Sequence, residues 1–395
     1  MSSGLFGLDG LQPAPAQVWG AVRLMPLVQT RPIDDLRIDP LAFGEAFGLV
    51  GLDSRDPLLA SQRPEDWPET VYASYIPHAY VISFGKRQAE AVWGGRLKKS
   101  GGKKLDLGPF KVRLLHRMMK KDCRDRWRIL PLHLAMEGFL ALHFAGPAIA
   151  WQEYSRQALT YGLSPRIEGS ISGRAIRGLE DALRVFEIHA GQVGMAVFVA
   201  DALAAMMVVS HPDDYRRLHR SLVEDFFCDL MLHYGLYSQV PEDLCPRMRT
   251  EGIRSLADLQ SAFSSMRQGW HDAFSLLAEG LLERTLSMET VNKAGPHRLL
   301  RFVTRLDPAR ENHIGESIVR EDGRVEYLKT YRLSAAQTRR AHLLQVLAEH
   351  GWHLEDAAGA LNETRRSLTR RMENAGFGYL LKENVRAAAR SRRRK

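Results

Sequence analysis

Six residues in the seven positions from Arg365 to Arg371, namely Arg365, Arg366, Ser367, Thr369, Arg370 and Arg371, combine guanidinium groups with hydroxyls. A guanidinium is a planar fork of donors that pairs bidentately with phosphate oxygens or with O6 and N7 of guanine, and hydroxyls reach the same acceptors. With Arg339 and Arg340 upstream, this chemistry predicts contact with a polyanion, and duplex DNA is the expected partner. A second set, Glu180, Arg184, Glu187 and His189, is expected either to line a pocket for a charged ligand or to form a buried ion network that holds the fold. Further polar candidates are scattered: His78, His116, His133, Glu137, Asp201 and His211. His133 and Glu137 are four residues apart on a helical pattern and can reach one ion, but HExxH is absent, and such a pair on an apolar face is more often satisfied internally. No metal and no cofactor are expected. No Ser-His-Asp, Cys-His, Walker or Rossmann pattern is present, so no catalytic residue is assigned.

The cationic cluster needs helices to position it. Leu354, Ala358 and Leu361 recur at i, i+4 and i+7 on one face of a short helix, with Ala357 and Ala358 small enough for another helix to approach. Asn362 suits the left-handed backbone of a tight turn, and Thr364 is a good N-cap for a second helix in which Leu368 and Met372 face inward. The arginines and Thr369 are then spread over the remaining surface. Ala341, Leu344, Val346, Leu347 and Ala348 predict a supporting helix ended by Gly351. From Ser334 to Lys395 there are 13 Lys+Arg against 6 Asp+Glu, so +7 of the chain's formal +9 lies there. That segment ends in a tail, Arg386, Arg390, Arg392, Arg393, Arg394 and Lys395, suited to neutralising phosphate. The bland alternative is a helical interaction module with a solvated basic tail. The run Gly-Trp-x-Leu-x-x-Ala-Ala-x-x-Leu followed by Thr-Arg-x-x-Leu-x-Arg-Arg resembles the Fis-type helix-turn-helix of bacterial DNA-binding regulators. The resemblance implies that the second helix lies in the major groove, with Arg365, Ser367, Thr369, Arg370 and Arg371 at contact positions. The sequence departs from that pattern at Asn362, where Gly is usual, and at Glu363, where a buried Ile or Val is usual.

Charge is also concentrated in residues 96–128, with 13 Lys+Arg against 3 Asp, including a Gly-Gly tip flanked by Lys98, Lys99, Lys103 and Lys104. Such a tip can touch phosphate, although the commoner reading is a solvated loop followed by an amphipathic strand and helix. At 395 residues, 45% hydrophobic and 26% charged, the chain is long enough for two or three domains and is not of disordered composition. It has no apolar run long enough for a membrane span, and Met1–Gly10 lacks signal-peptide character. Three cysteines, Cys123, Cys228 and Cys245, lack CxxC spacing and argue against a disulfide framework or zinc ribbon. A bacterial cytoplasmic protein is expected.

Along the chain, Gln17–Val28 and Val71–Phe84 read as strands, with Pro77 marking a bulge or edge. The segment 40–68 reads as loop with a short helix. A short strand near Trp127 runs into an apolar helix, and 175–189 is helical through Ile176, Leu179, Leu183 and Phe186. Residues 192–210 read as a hairpin, and His211-Pro212-Asp213-Asp214 opens a helix to about Tyr234. Arg249–Leu286 reads as one long helix with Trp270 in the core and His271 as a cap. His297–Leu306 is a strand, and Ile314–Arg320 with Val325–Tyr331 form a hairpin across Asp322-Gly323.

The strings Gln12-Pro-Ala-Pro-Ala-Gln-Val-Trp-Gly-Ala-Val-Arg-Leu, Pro131-Leu-His-Leu-Ala-Met-Glu-Gly, Leu179-Glu-Asp-Ala-Leu-Arg-Val-Phe-Glu-Ile-His and His211-Pro-Asp-Asp-Tyr are similar to a bacterial family of unassigned activity. It is the second domain type named for association with ARG (ADP-ribosylglycohydrolase) and rhodanese-phosphatase-superfamily proteins, over residues about 10–333. The resemblance implies a conflict, repair or nucleotide-linked context and no reaction. The expected fold class is α+β: a mixed strand and helix domain over 1–333 that binds a small molecule or protein, an all-α helix-turn-helix over 334–381, and a basic tail over 382–395. The expected function is DNA binding, as a homodimeric transcriptional regulator whose large domain senses a ligand or partner. The competing classes are an enzyme acting on a nucleotide or ADP-ribose substrate and a non-catalytic scaffold.

Overall fold

The computed structural model describes residues 10–29, 31–38, 188–222 and 246–382, a few single residues besides, and six short strands between 70 and 129. The chain is mixed α/β, with a large antiparallel sheet and, among the described residues, six helices. It opens with β1 (Leu11–Pro13), β2 (Gln17–Trp19), β3 (Val22–Gln29) and β4 (Leu36–Ile38). The single strand expected over Gln17–Val28 is therefore two, because Gly20 turns the chain at φ +57 and β2 folds back on β3. Next come β5 (Thr70–Ala73), β6 (Ala79–Ile82), β7 (Glu90–Trp93), β8 (Arg96–Lys99), β9 (Arg113–Leu115) and β10 (Arg126–Ile129), which with β4 make two small sheets. The loop over 40–68, Pro77, the lysine-bearing tip, most of the apolar helix after Trp127 and all but the last two residues of the helix expected over 175–189 lie outside the described residues; Ile188 and His189 are described and are not helical.

The hairpin expected over 192–210 is present as β11 (Gln192–Val199) and β12 (Ala202–Val208). Its two-residue turn, Ala200-Asp201, has φ of +48 and +57, the doubly left-handed geometry that matches strand twist. Then follow α1 (Pro212–Ser221), α2 (Leu256–Leu277), α3 (Glu279–Leu282) and β13 (Leu286–Ala294). The long helix expected over 249–286 is thus shorter at both ends. A capping box between Ser255 and Asp258 starts it at Leu256, and the chain after Leu282 turns into strand. Trp270 is core, 3% exposed, but His271 sits exposed within α2 and caps nothing. β14 (His297–Thr304), β15 (His313–Arg320) and β16 (Val325–Arg332) complete the sheet. The chain continues into α4 (Ala335–Glu349), α5 (Leu354–Ala360) and α6 (Arg365–Asn374).

The large sheet runs β1, β3, β11, β12, β16, β15, β14, β13, with β2 also on β3. Its central strands are covered on both faces, and all eight residues of β11 are buried, which explains their continuous apolar runs. One face carries Leu24, Val197, Met207, Ile318 and Tyr331 against Leu36, Tyr215 and Leu218, in a cluster that continues through Leu333 into Ala341 and Leu368. The opposite face carries Met25, Phe198, Met206, Phe302 and Leu328 against Trp270, Phe274 and Leu281 of α2 and α3. No helix among the described residues is long and apolar enough to cross a membrane.

Candidate functional site

The cationic residues of the C-terminal segment are placed by α4, α5 and α6. A capping box starts α4: the Ser334 hydroxyl accepts from the Gln337 N–H, and the Gln337 side chain accepts from the Ser334 N–H. It ends where Gly351 and Trp352 take φ of +59 and +66. Ala357 and Ala358 are fully buried, so α5 presents its smallest residues to its neighbours. Asn362 turns the chain between α5 and α6 at φ +54, with the Asn362 and Glu363 N–H groups donating to the Gly359 and Ala358 carbonyls. Thr364 caps α6 by accepting from the Ser367 N–H at 3.2 Å. Leu368 and Met372 face inward at 0% and 1% exposure.

Seven of the eight expected contact residues are exposed or half-buried. Arg365, Ser367, Arg370 and Arg339 are exposed, and Arg366 and Arg371 are half-buried. Arg340 is half-buried too, with its guanidinium 5.2 Å from the Phe377 ring centroid. Thr369 is a correction: it is 1% exposed, and its hydroxyl donates to the Arg365 carbonyl at 2.8 Å. It lies one step from Leu368 and turns to the same interior, so it packs α6 and offers nothing outward. Carboxylates accompany the arginines. Arg365 donates to Glu355 at 3.1 Å, and Glu363 accepts from Arg371 at 2.7 Å and from the Ser367 hydroxyl at 2.9 Å.

The sheet holds a second concentration of ionisable groups that no local pattern announces. Register aligns Glu289, Arg301, Glu316 and Lys329 across β13, β14, β15 and β16. Arg301 lies 3.6 Å from Glu289 and Lys329 lies 3.4 Å from Glu316, while the Tyr327 hydroxyl donates to Glu316 at 3.1 Å. The charges alternate and sum to zero, which is how buried charges are tolerated. Burial lowers the Lys329 pKa against the pull of Glu316, and burial with Glu316 raises Tyr331 well above its usual value. His143, 3.3 Å from Ser287, is lowered to about 4 by burial and then by Arg301. His313, fully buried, is lowered to about 3 by burial, Arg332 and Arg284, so it stays neutral.

A third cluster gathers at the turn between β15 and β16. Asp35, His297 and Glu326 bring one ligand atom each within 4.8 Å of the others. His297 Nε2 is 2.8 Å from Glu326 and 3.7 Å from Asp35. Each carboxylate also has a guanidinium: Arg320 donates to Asp35 at 2.5 Å and Arg324 to Glu326 at 2.9 Å. Burial raises the Glu326 pKa, but the bonds from His297 and Arg324 outweigh it, leaving a pKa below the ordinary carboxylate value. Two carboxylates already balanced by two arginines are the chemistry of an ion network that ties the chain before β4 to the sheet.

Asp201, at the β11–β12 turn, accepts from Arg23 at 3.0 Å, and His211 caps α1 and lies 3.4 Å from Asp34. Buried Asp214 accepts two bonds from Arg37 and one from the Ile38 N–H. These scattered candidates fasten loops and strands. His189 is half-buried, and its backbone N–H donates to Gln192. Its expected companions Glu180, Arg184 and Glu187 lie outside the described residues, as do His78, His116, His133 and Glu137. Sequence reasoning missed Asp35, His297, Glu316, Glu326 and Lys329; for the last four the available signal was a polar or charged residue inside strands that otherwise read as core, and Asp35, before β4, carried none.

A family model described as ARPP-2 matches residues 6–295. No curated protein and no solved structure matches the chain. The family match corrects the assignment expected from sequence, a rhodanese-phosphatase-associated domain type over about 10–333 followed by a Fis-type unit. The matched family is ARPP-2, and its match stops at 295, short of the C-terminal helices.

Proposed function

The chain belongs to the ARPP-2 family, and we propose that the three helices following its matched residues form a helix-turn-helix that docks on duplex DNA, making the protein a regulator with a large sensing domain. The supporting observation is the outward surface of α6, where Arg365, Ser367 and Arg370 are exposed and Arg366 and Arg371 half-exposed beside a turn made by Asn362 and a cap made by Thr364. A short helix with inward Leu368 and Met372 and outward guanidiniums suits the major groove, with phosphates gripped by Arg339, Arg340 and the basic tail. The domains we infer are 1–333 for a small-molecule or protein ligand, 334–381 for DNA, and 382–395 as the tail. A homodimer follows from the small footprint of one reading helix. β16 leads into α4 with one residue between Arg332 and Ser334; the Leu333 N–H donates to the Asn312 carbonyl, and Arg332 pairs with Glu311. A ligand that shifts β16 would therefore act on α4 directly.

The test is fluorescence anisotropy of a mixed duplex DNA library across a salt series, with the full chain, a chain ending at Leu333, and the Arg365→Ala/Arg370→Ala variant. The full chain is expected to bind with a steep salt slope, the shortened chain to lose binding, and the double variant to lose about 1–3 kcal/mol of sequence preference per base contact. Equal binding by the shortened chain would move the nucleic-acid site to the basic stretch 96–128. No binding by any of the three would end the DNA reading.

A further inference from the structure

The cations of α6 are not equivalent, and Glu363 makes the difference. Ser367 and Arg371 are i and i+4 on one face of α6, and Glu363, which precedes the Thr364 cap, turns its side chain onto that face. The Arg371 guanidinium reaches back two turns to donate to Glu363 Oε1 at 2.7 Å, while Glu363 Oε2 accepts from the Ser367 hydroxyl at 2.9 Å. The pair is better sheltered than the neighbouring one: Glu363 is 22% exposed against 68% for Glu355. Exposed pairs hold little, but a short charge-assisted bond with both carboxylate oxygens engaged fixes a rotamer. The consequence is geometric. Arg371 belongs to the C-terminal half of α6, yet its guanidinium is drawn back to the carboxylate that the first-turn Ser367 hydroxyl also bonds, toward the end that meets base edges when such a helix enters the major groove.

Resting on the DNA-docking reading, we propose that Glu363 is a specificity-determining positioning residue that turns Arg371 into a guanine reader. A guanidinium has five donors, and Glu363 takes one Nη1 bond, which leaves donors for the O6 and N7 acceptors of guanine. The side-chain entropy of ordering Arg371 is already lost before DNA arrives. The same carboxylate repels phosphate oxygens, so Arg371 is kept from sequence-blind backbone contact. Neutral base acceptors do not suffer that repulsion, and the discrimination comes from this contrast.

The experiment compares the full-length protein with Glu363→Gln, Arg371→Lys and the control Glu349→Gln, which removes an equal charge from an exposed site on α4. Affinity for mixed-sequence duplex is read by anisotropy across salt, and the preferred site by selection from a random duplex pool. Glu363→Gln is expected to bind mixed duplex roughly 3–10-fold more tightly at low salt, with a slope steeper by about one, and to lose a guanine preference at one position. Glu349→Gln is expected to leave the selected site unchanged. Arg371→Lys keeps the charge but not the fork, so it must lose the same guanine; it decides the matter if Glu363→Gln melts early. An unchanged selected site in Arg371→Lys, or a Glu363→Gln effect no larger than that of the control, overturns the proposal while wild-type binding keeps the docking reading. Absence of wild-type binding overturns both.

Discussion

Glu316 and Lys329 are 3% and 0% exposed and 3.4 Å apart, so removing one partner takes the ion pair away from a charge that stays buried. Glu316→Gln is expected to cost about 3–5 kcal/mol. The paired change Glu316→Leu/Lys329→Met should recover much of that loss, because two apolar groups replace two desolvated ones. Urea denaturation of the three proteins checks the order. The buried histidines make a separate prediction. His313, His143 and His219 are lowered from 6.5 to about 3, 4 and 4, mainly by burial. Folded, they stay neutral; unfolded, they take up protons as pH falls through 6.5. Their contribution to stability is therefore complete above about pH 6.5 and is lost progressively toward pH 4 and then 3, at about 1.4 kcal/mol per unit of separation. Urea midpoints measured from pH 8 to pH 4 should be flat at first and fall below 6.5, and His313→Leu should flatten the fall.

At the scale of elements, close approach in the sheet and chain reversal between α5 and α6 each depend on one residue. A Cβ on Gly315 would run into the Lys329 carbonyl and the Phe302 ring, both held by strand pairing, so Gly315→Ala is expected to lower stability by about 3 kcal/mol. Asn362 at φ +54 should accept Gly with little change, while Asn362→Val places a β-branched residue where it strains the backbone. Thr364→Ala removes the cap of α6 and should cost about 1 kcal/mol. Thermal midpoints of these variants test the ranking, Gly315→Ala lowest. The turn at Asn362, the cap at Thr364 and the inward Leu368 and Met372 were legible in sequence, because each is a local property of a few adjacent residues. β13 was not. Between Leu286 and Ala294 its residues are exposed, so it has neither the alternation of a half-buried strand nor the apolar run of a central one, and it is a strand because β14 pairs with it.

At the scale of the molecule, one apolar cluster crosses from the sheet through Leu333 to Ala341, Leu344 and Leu368. A chain ending at Leu333 should therefore melt at a lower temperature than the full chain, in differential scanning calorimetry, as the sheet side of that cluster loses its cover. An unchanged midpoint would show that the C-terminal helices add nothing to the stability of the sheet. For that reason the Arg365→Ala/Arg370→Ala variant, which leaves the cluster intact, is the sharper half of the DNA test.

The sequence by itself determined the local devices: the hairpin over 192–210 and the one across Asp322-Gly323, the N-cap at Thr364, the inward faces of α4 to α6, and the concentration of charge after Ser334. Each is set by residues a few positions apart. Tertiary structure alone decided that Thr369 is buried, that Glu363 holds Arg371, and that Glu289, Arg301, Glu316 and Lys329 form a neutral row. It also decided that Asp35 meets His297 and Glu326. The partners in the row come from successive strands, where register and not spacing sets which charges face each other, and Asp35 reaches His297 and Glu326 from a segment far away in the chain. Thr369 and Glu363 are local in sequence, but helical periodicity ranks faces only coarsely, and which side of α6 is covered depends on how α4 and α5 pack against it.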